Sequence, residues 1–347
     1  MVGYSLRKPL KTVSYTPHKY GLVPDRMVVK DHAHADPELA AALDGCRVGD
    51  WKPAMEALVK VGKDWDRRGL YVFELGFAAA RGPRWLDFWR QAEPSSADAA
   101  VVYAQSMVTR AWDARGGYSA SLTSRHQFES FHKILRVCVG FALKATELVP
   151  EDPTPWTTLV TAARGLQYSN LDFEPVWQEL LIRDALNRRA HVQALQYWQP
   201  KWYGSRELAD TFVEETAIRA PGSALAFQLR IENQMEIWLD RERRGGREAF
   251  FRRGPGRAPL TKALDEYWDG TVPTARGQGA GDGNRLAWAL TTVGRWDEAC
   301  EVWKEIGGCL IDSSPWLYVR DPAAVFVELR REAFVRASVR AGRRPES

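Results

Sequence analysis

The sequence predicts an all-α fold: a right-handed α-solenoid of antiparallel helical hairpins behind an extended N-terminal arm. Three observations predict it. Apolar residues recur at helical spacing through most of residues 37–340. No strand alternation is sustained over the body, and helical segments follow one another with short breaks. One spaced pattern occurs twice between helical segments, as Gly49, Trp51, Ala54, Leu58 and as Gly294, Trp296, Ala299, Trp303.

The elements follow in order. Residues 1–36 hold three prolines and several Tyr and Val without helical period, and read as an arm with short strands. Asp36 before Pro37 is a helix start, because proline is tolerated at the first helical position. Helical patterns then run through "DPELAAALDGC", "WKPAMEALVKV", "DRRGLYVFELGFAAA" and the Ser-capped "SADAAVVYAQSMVTRAW". "FESFHKILRVCVGFALKATEL" sets Phe131, Ile134, Leu135, Cys138 and Phe141 along one face and ends at Pro150. Asp152 is placed to cap the next helix. Four more segments reach residue 242. "RERRGGREAFFRRGPGR" (241–257) reads as an inserted loop, "LTKALDEYW" as a short helix and "DGTVPTARGQGAGDGN" (269–284) as a second loop. The expected organisation is an arm (1–36), a helical-repeat body (37–242), insertion loops with a short helix (243–284), and a C-terminal hairpin with a last helix (285–340).

Composition narrows the function. The net charge of +4 over 347 residues gives no whole-molecule field for nucleic acid. Arginine outnumbers lysine 36 to 12, which genome composition explains as easily as function. Fifteen tryptophans can be consumed by helix packing, so their number alone marks no site. Cys46, Cys138, Cys300 and Cys309 lack zinc or redox spacing and read as reduced thiols of a cytoplasmic protein. The N-terminus has no apolar signal core, and no stretch is long and apolar enough to span a membrane.

The repeated pattern fits a helical hairpin. The glycine ends the first helix, the aromatic packs across the turn, the alanine permits close approach and the last residue fills the groove. These residues, with Leu286, Ala287 and Leu290 on the preceding helix, resemble the tetratricopeptide repeat of about 34 residues. Breaks near Pro150, Asn187 and Pro221 lie 37 and 34 residues apart, close to that period. "DWDRRG" (64–69), "DPTPW" (152–156) and "KWYGS" (201–205) are similar to actinobacterial proteins with tetratricopeptide-like helices, over about residues 40–240. The resemblance implies the fold and carries no activity with it.

"KDHAHAD" gathers Asp31, His32, His34 and Asp36, and alternate histidines of an extended chain can share a metal. A solvated linker outweighs that reading, since no further ligand can be named. His126 and His132 stand six apart, a poor helical pair, while Glu129 and His132 are three apart. Arg188 and His191 form a three-step face for an anion or acidic peptide, with a solvated face as the stronger reading. Phe250 and Phe251 inside the basic 241–257 segment could stack on bases, although no nucleic-acid motif accompanies them. "GQGAGDGN" is not a phosphate loop, and no catalytic motif occurs.

The resulting expectation is a scaffold that binds a protein or peptide on its concave face through Arg164, Gln167, Arg188, His191, Trp198, Lys201 and Trp202, without cofactor, metal or catalysis. The rival is an enzyme or small-molecule binder whose loops close over a Trp- and His-lined pocket. In "ALQYWQPKWYGS" (194–205), Pro200 is expected to stop a helix, Gly204 to relax the turn and Ser205 to cap the next helix, with Trp198 and Tyr203 packing the corner.

Overall fold

A computed structural model describes residues 15–30, 36–116, 123–202, 204–243, 249–271, 278–311, 315–319 and 321–342. Among these, fifteen α-helices dominate. They are α1 (Pro37–Val48), α2 (Lys52–Val61), α3 (Trp65–Arg81), α4 (Arg84–Ala92), α5 (Ala97–Arg115), α6 (Arg125–Leu148), α7 (Thr154–Leu166), α8 (Asn170–Arg183), α9 (Arg188–Tyr197), α10 (Arg206–Arg219), α11 (Ala224–Arg243), α12 (Arg257–Tyr267), α13 (Gln278–Val293), α14 (Trp296–Ile306) and α15 (Pro322–Arg340). The described strands are two short ones, β1 (Val29–Lys30) and β2 (Cys309–Leu310), paired in parallel with Val29 opposite Cys309.

The expected starts are in place. Ser96 accepts the Ala99 N–H at 3.2 Å, and Asp152 accepts the Thr154 N–H at 2.8 Å. α4 is a helix that the sequence pattern does not predict. It is nine residues long, sits between Pro83 and Pro94, and buries Trp85, Leu86 and Trp89. The loop expected at 269–284 also needs correction, because α13 already begins at Gln278. A Cβ added to Gly283 would lie 2.7 Å from Ile306 of α14. The glycine marks a close approach of two helices, not a loop.

The chain divides into two compact units. One is continuous, residues 37–212; the other joins residues 1–36 to residues 213–347. The sequence pattern predicts a break at 242; the units divide inside α10. In the discontinuous unit, Phe227, Ile231 and Trp238 of α11 share a core with Trp288, Phe326 and, from the arm, Leu22. Phe250 and Phe251 are buried in that core, and Phe251 meets Trp288 edge-on at 5.1 Å. Arg252 forms a two-pronged ion pair with Glu332, at 2.8 and 2.6 Å. The phenylalanines of the basic segment are therefore packing residues, not a platform for bases.

Both copies of the hairpin pattern adopt one geometry. Gly49 and Gly294 have φ of 88° and 87°, a region that glycine enters without steric cost. At each, the glycine N–H reaches a carbonyl three residues back at 3.2 Å, and the next N–H reaches five back at 2.9 Å. Gly62 and Gly307 then close α2 and α14 with φ of 55° and 57°. The inward residues also correspond: Ala54, Ala57, Leu58 and Val61 in α2, and Ala299, Val302, Trp303 and Ile306 in α14.

In the continuous unit, α3 packs against α5, α7 and α9, and α5 pairs with α6 as α7 does with α8. A strictly linear array brings only neighbouring hairpins together. The contact of α3 with α9 departs from that rule. Arg68 of α3 bonds Asp98 at the start of α5 and, at 2.8 Å, Asp152 at the start of α7. The short motifs "DWDRRG" and "DPTPW" thus meet in one buried ion cluster.

Candidate functional site

The predicted site residues separate into a buried set and an accessible set. His191 is fully buried. Its ring lies edge-on to Trp177 at 4.9 Å and 5.8 Å from Phe212, and its Nδ1 is 2.7 Å from the Asn187 carbonyl oxygen. Asn187 also caps α9 by accepting the Ala190 N–H at 3.0 Å. Arg188 is buried as well. The solvated face expected for Arg188 and His191 is corrected: both side chains are buried, and Trp177 and Phe212 pack against the His191 ring. Glu129, three residues before His132, accepts from Arg125 Nε at 2.8 Å, one helical turn back. Asp31, His32 and His34 lie outside the described residues.

Trp198 belongs to the corner. It meets Phe173 and Tyr197 edge-on at 5.8 and 4.9 Å. Tyr197, which the sequence does not single out, anchors the corner. Its ring stacks on Phe173 at 4.0 Å, and its hydroxyl donates to the Tyr168 carbonyl and Asn170 Oδ1, both at 2.9 Å. Ser205 caps α10 as expected, accepting the Leu208 N–H at 3.2 Å. Gly204 serves differently: an added Cβ would fall 1.8 Å from the Trp198 carbonyl oxygen, so the corner needs glycine for space. Tyr203 lies outside the described residues.

Arg164 and Trp202 come together with two residues not singled out from sequence, Trp112 and Arg115. Trp112 and Trp202 meet edge-on, with centroids 5.6 Å apart at 87°. The Arg164 guanidinium carbon lies 4.6 Å from the Trp112 centroid and 5.1 Å from that of Trp202. That of Arg115 lies 5.6 and 5.7 Å from the same two rings and 5.7 Å from Phe128. Arginine suits such a cluster because its planar, weakly hydrated cation can lie on a π-face while its N–H edges stay available. All four side chains are half-buried. Burial makes the Arg115 guanidinium a stronger acid than usual.

The rim is assembled from neighbouring turns. Gln167 and Lys201 are exposed beside Arg164 and Trp202 in the chain. On α6, His132 lies 5.5 Å from the Phe131 ring. Burial lowers its pKa from 6.5, and Arg136 lowers it further. The sequence signal that would have found Trp112 and Arg115 is their three-residue step at the end of α5, where α7 ends with Arg164.

Among the described residues, no group of three or more His, Cys, Asp or Glu is placed to hold a metal ion, and no helix is long and apolar enough to cross a membrane. None of the four cysteines forms a disulfide, and burial pushes Cys46, Cys138 and Cys300 up to about 12. No protein family model, curated protein or solved structure matches the chain.

Proposed function

We propose that this chain is a tetratricopeptide-like helical-repeat scaffold that binds a protein or peptide partner. The observation that carries the reading is the accessible cluster of Trp112, Arg115, Arg164 and Trp202 at the C-terminal ends of α5 and α7. Tryptophan and arginine dominate the energetics of protein interfaces, because each buries a large surface while keeping a directional polar group. The recurrence of one hairpin geometry at Gly49–Gly62 and Gly294–Gly307 supports the repeat reading. A cytoplasmic setting accords with four cysteines that form no disulfide. The partner lies across the ends of the first helices α5 and α7, with Gln167 and Lys201 at its margin.

Affinity capture from host extract tests this reading. The wild-type chain is expected to retain a defined partner that Trp202→Ala and Arg164→Glu both lose while their circular dichroism is unchanged. Identical recovered proteins from all three baits would overturn it.

A further inference from the structure

Helix α6 buries Phe131, Leu135, Cys138, Ala142 and Ala145 and presents its other face to solvent. Lys133, Val137, Gly140, Leu143 and Glu147 are exposed there, at steps of four, three, three and four, a pattern symmetric about the glycine. Glycine inside a helix is unfavourable relative to alanine and needs a reason in packing or function. Elsewhere the chain supplies that reason. An added Cβ would fall 2.9 Å from Pro53 at Gly45, 2.6 Å from Gln105 at Gly76, 2.5 Å from Leu135 at Gly165 and 2.7 Å from Ile306 at Gly283. At Gly140 no described atom lies within 4 Å of that position. Between Val137 and Leu143, which are 45% and 44% exposed, the glycine leaves a notch in the surface of a 24-residue helix.

The flanking charges decide what fits the notch. Lys133 and Glu147 stand seven residues to either side of Gly140, about two turns, and so share its face. Neither carries an ion pair among the described residues. When a second α6 crosses antiparallel at Gly140 about a two-fold axis, each residue faces the one equally far beyond the glycine. Lys133 then meets Glu147 at both ends, and Val137 meets Leu143 on both sides. Helical spacing puts Arg136 on the Glu147 flank, so each carboxylate receives two cations, and puts Lys144 on the other flank beside Val137. A parallel pair would instead set Lys133 on Lys133 and Glu147 on Glu147, which like-charge repulsion opposes.

We infer that this face binds a second copy of the chain, as a two-fold antiparallel pair of α6 helices with Gly140 at the closest approach. The pair uses none of the residues of the Trp112–Trp202 cluster and holds whether or not that cluster takes a partner. One helix pair is a small interface, so the association is weak and reversible.

Sedimentation velocity of the full chain, from micromolar to near-millimolar concentration, tests it. The wild type is expected to pass from monomer to dimer across that range. Gly140→Leu has room in the monomer, so its melting is expected to be unchanged while the dimer dissociation constant rises by about tenfold or more. Lys133→Glu or Glu147→Lys alone sets like charges across the pair and should weaken it several-fold. Combined in one chain they restore opposite signs and should recover most of the affinity. Leu171→Glu with Ile182→Glu changes a more exposed apolar pair on α8, at 87% and 76%, and is expected to leave the dimer as it was. A chain that stays monomeric throughout, a dimer indifferent to Gly140→Leu, or a double charge swap as weak as the single ones overturns the inference. So does a dimer lost through the α8 change, which would place the contact there. Assembly beyond a dimer also contradicts it, because a two-fold contact closes on itself.

Discussion

Gln167 holds a backbone conformation that side chains avoid. It closes α7 with φ of 56°, and the Tyr168 N–H reaches back to the Ala163 carbonyl at 3.0 Å. Left-handed backbone costs a residue with a Cβ about 1–2 kcal/mol, part of which glycine forfeits through its freer unfolded state. Gln167→Gly is therefore expected to stabilise the chain by roughly 0.5–1 kcal/mol, read as a higher urea midpoint with an unchanged slope; a lower midpoint would refute the strain. His132 makes a second prediction. Its folded pKa lies below the ordinary 6.5, mainly through burial, so the unfolded chain takes up its proton first. Stability is complete above about pH 6.5 and declines as the pH falls through and below that value. His132→Gln should flatten that part of a pH–melting profile. The residue types at the corner were legible in the sequence, but their burial was not. His191 and Arg188 read as a polar face because the aromatics packed on His191, Trp177 and Phe212, lie 14 and 21 residues away from it in the chain.

At the scale of elements, helix starts, caps and the paired glycine turns were readable because their chemistry is local. Contacts between helices were not. Arg68 sits inside "DWDRRG" with nothing nearby in sequence to distinguish it from Arg67, yet it alone of the two reaches both Asp98 and Asp152. Removing it leaves two carboxylates, one of them fully enclosed, without their cation. Arg68→Met is expected to cost about 3–5 kcal/mol in chemical denaturation, and adding Asp98→Asn with Asp152→Asn should recover a good part. A loss under about 1 kcal/mol would mean that the cluster is solvated. The excess of arginine over lysine also gains a physical reason. The ring-facing cations among the described residues, from Arg67 on Tyr71 to Arg189 on Phe73, are arginines. Glycine misled where it was used for proximity: "GQGAGDGN" reads as a loop, but most of it lies in α13 and its Gly283 comes close to Ile306 of α14.

At the scale of the whole molecule, all-α class was legible from periodicity, and the division into units was not, because one unit is built from two distant stretches of chain. Its fastening is specific. Arg330 of α15 is fully buried and bonds Asp25 at 2.6 Å, the Val23 carbonyl at 3.1 Å and the Gly307 carbonyl at 3.2 Å. Asp25→Asn leaves that cation without its carboxylate and is expected to cost about 3 kcal/mol, seen as earlier melting and faster proteolysis of the arm; unchanged proteolysis would count against it. The pairing of β1 with β2 has a further consequence in time. Strand β1 is complete at Lys30, 280 residues of synthesis before its partner strand β2 is complete at Leu310. At roughly 5–20 residues per second that interval is about 14–56 s. Residues 37–212 can finish folding within it while the arm waits without its partners. Nascent chains halted before residue 309 should therefore hold a protease-resistant middle and a cleavable beginning.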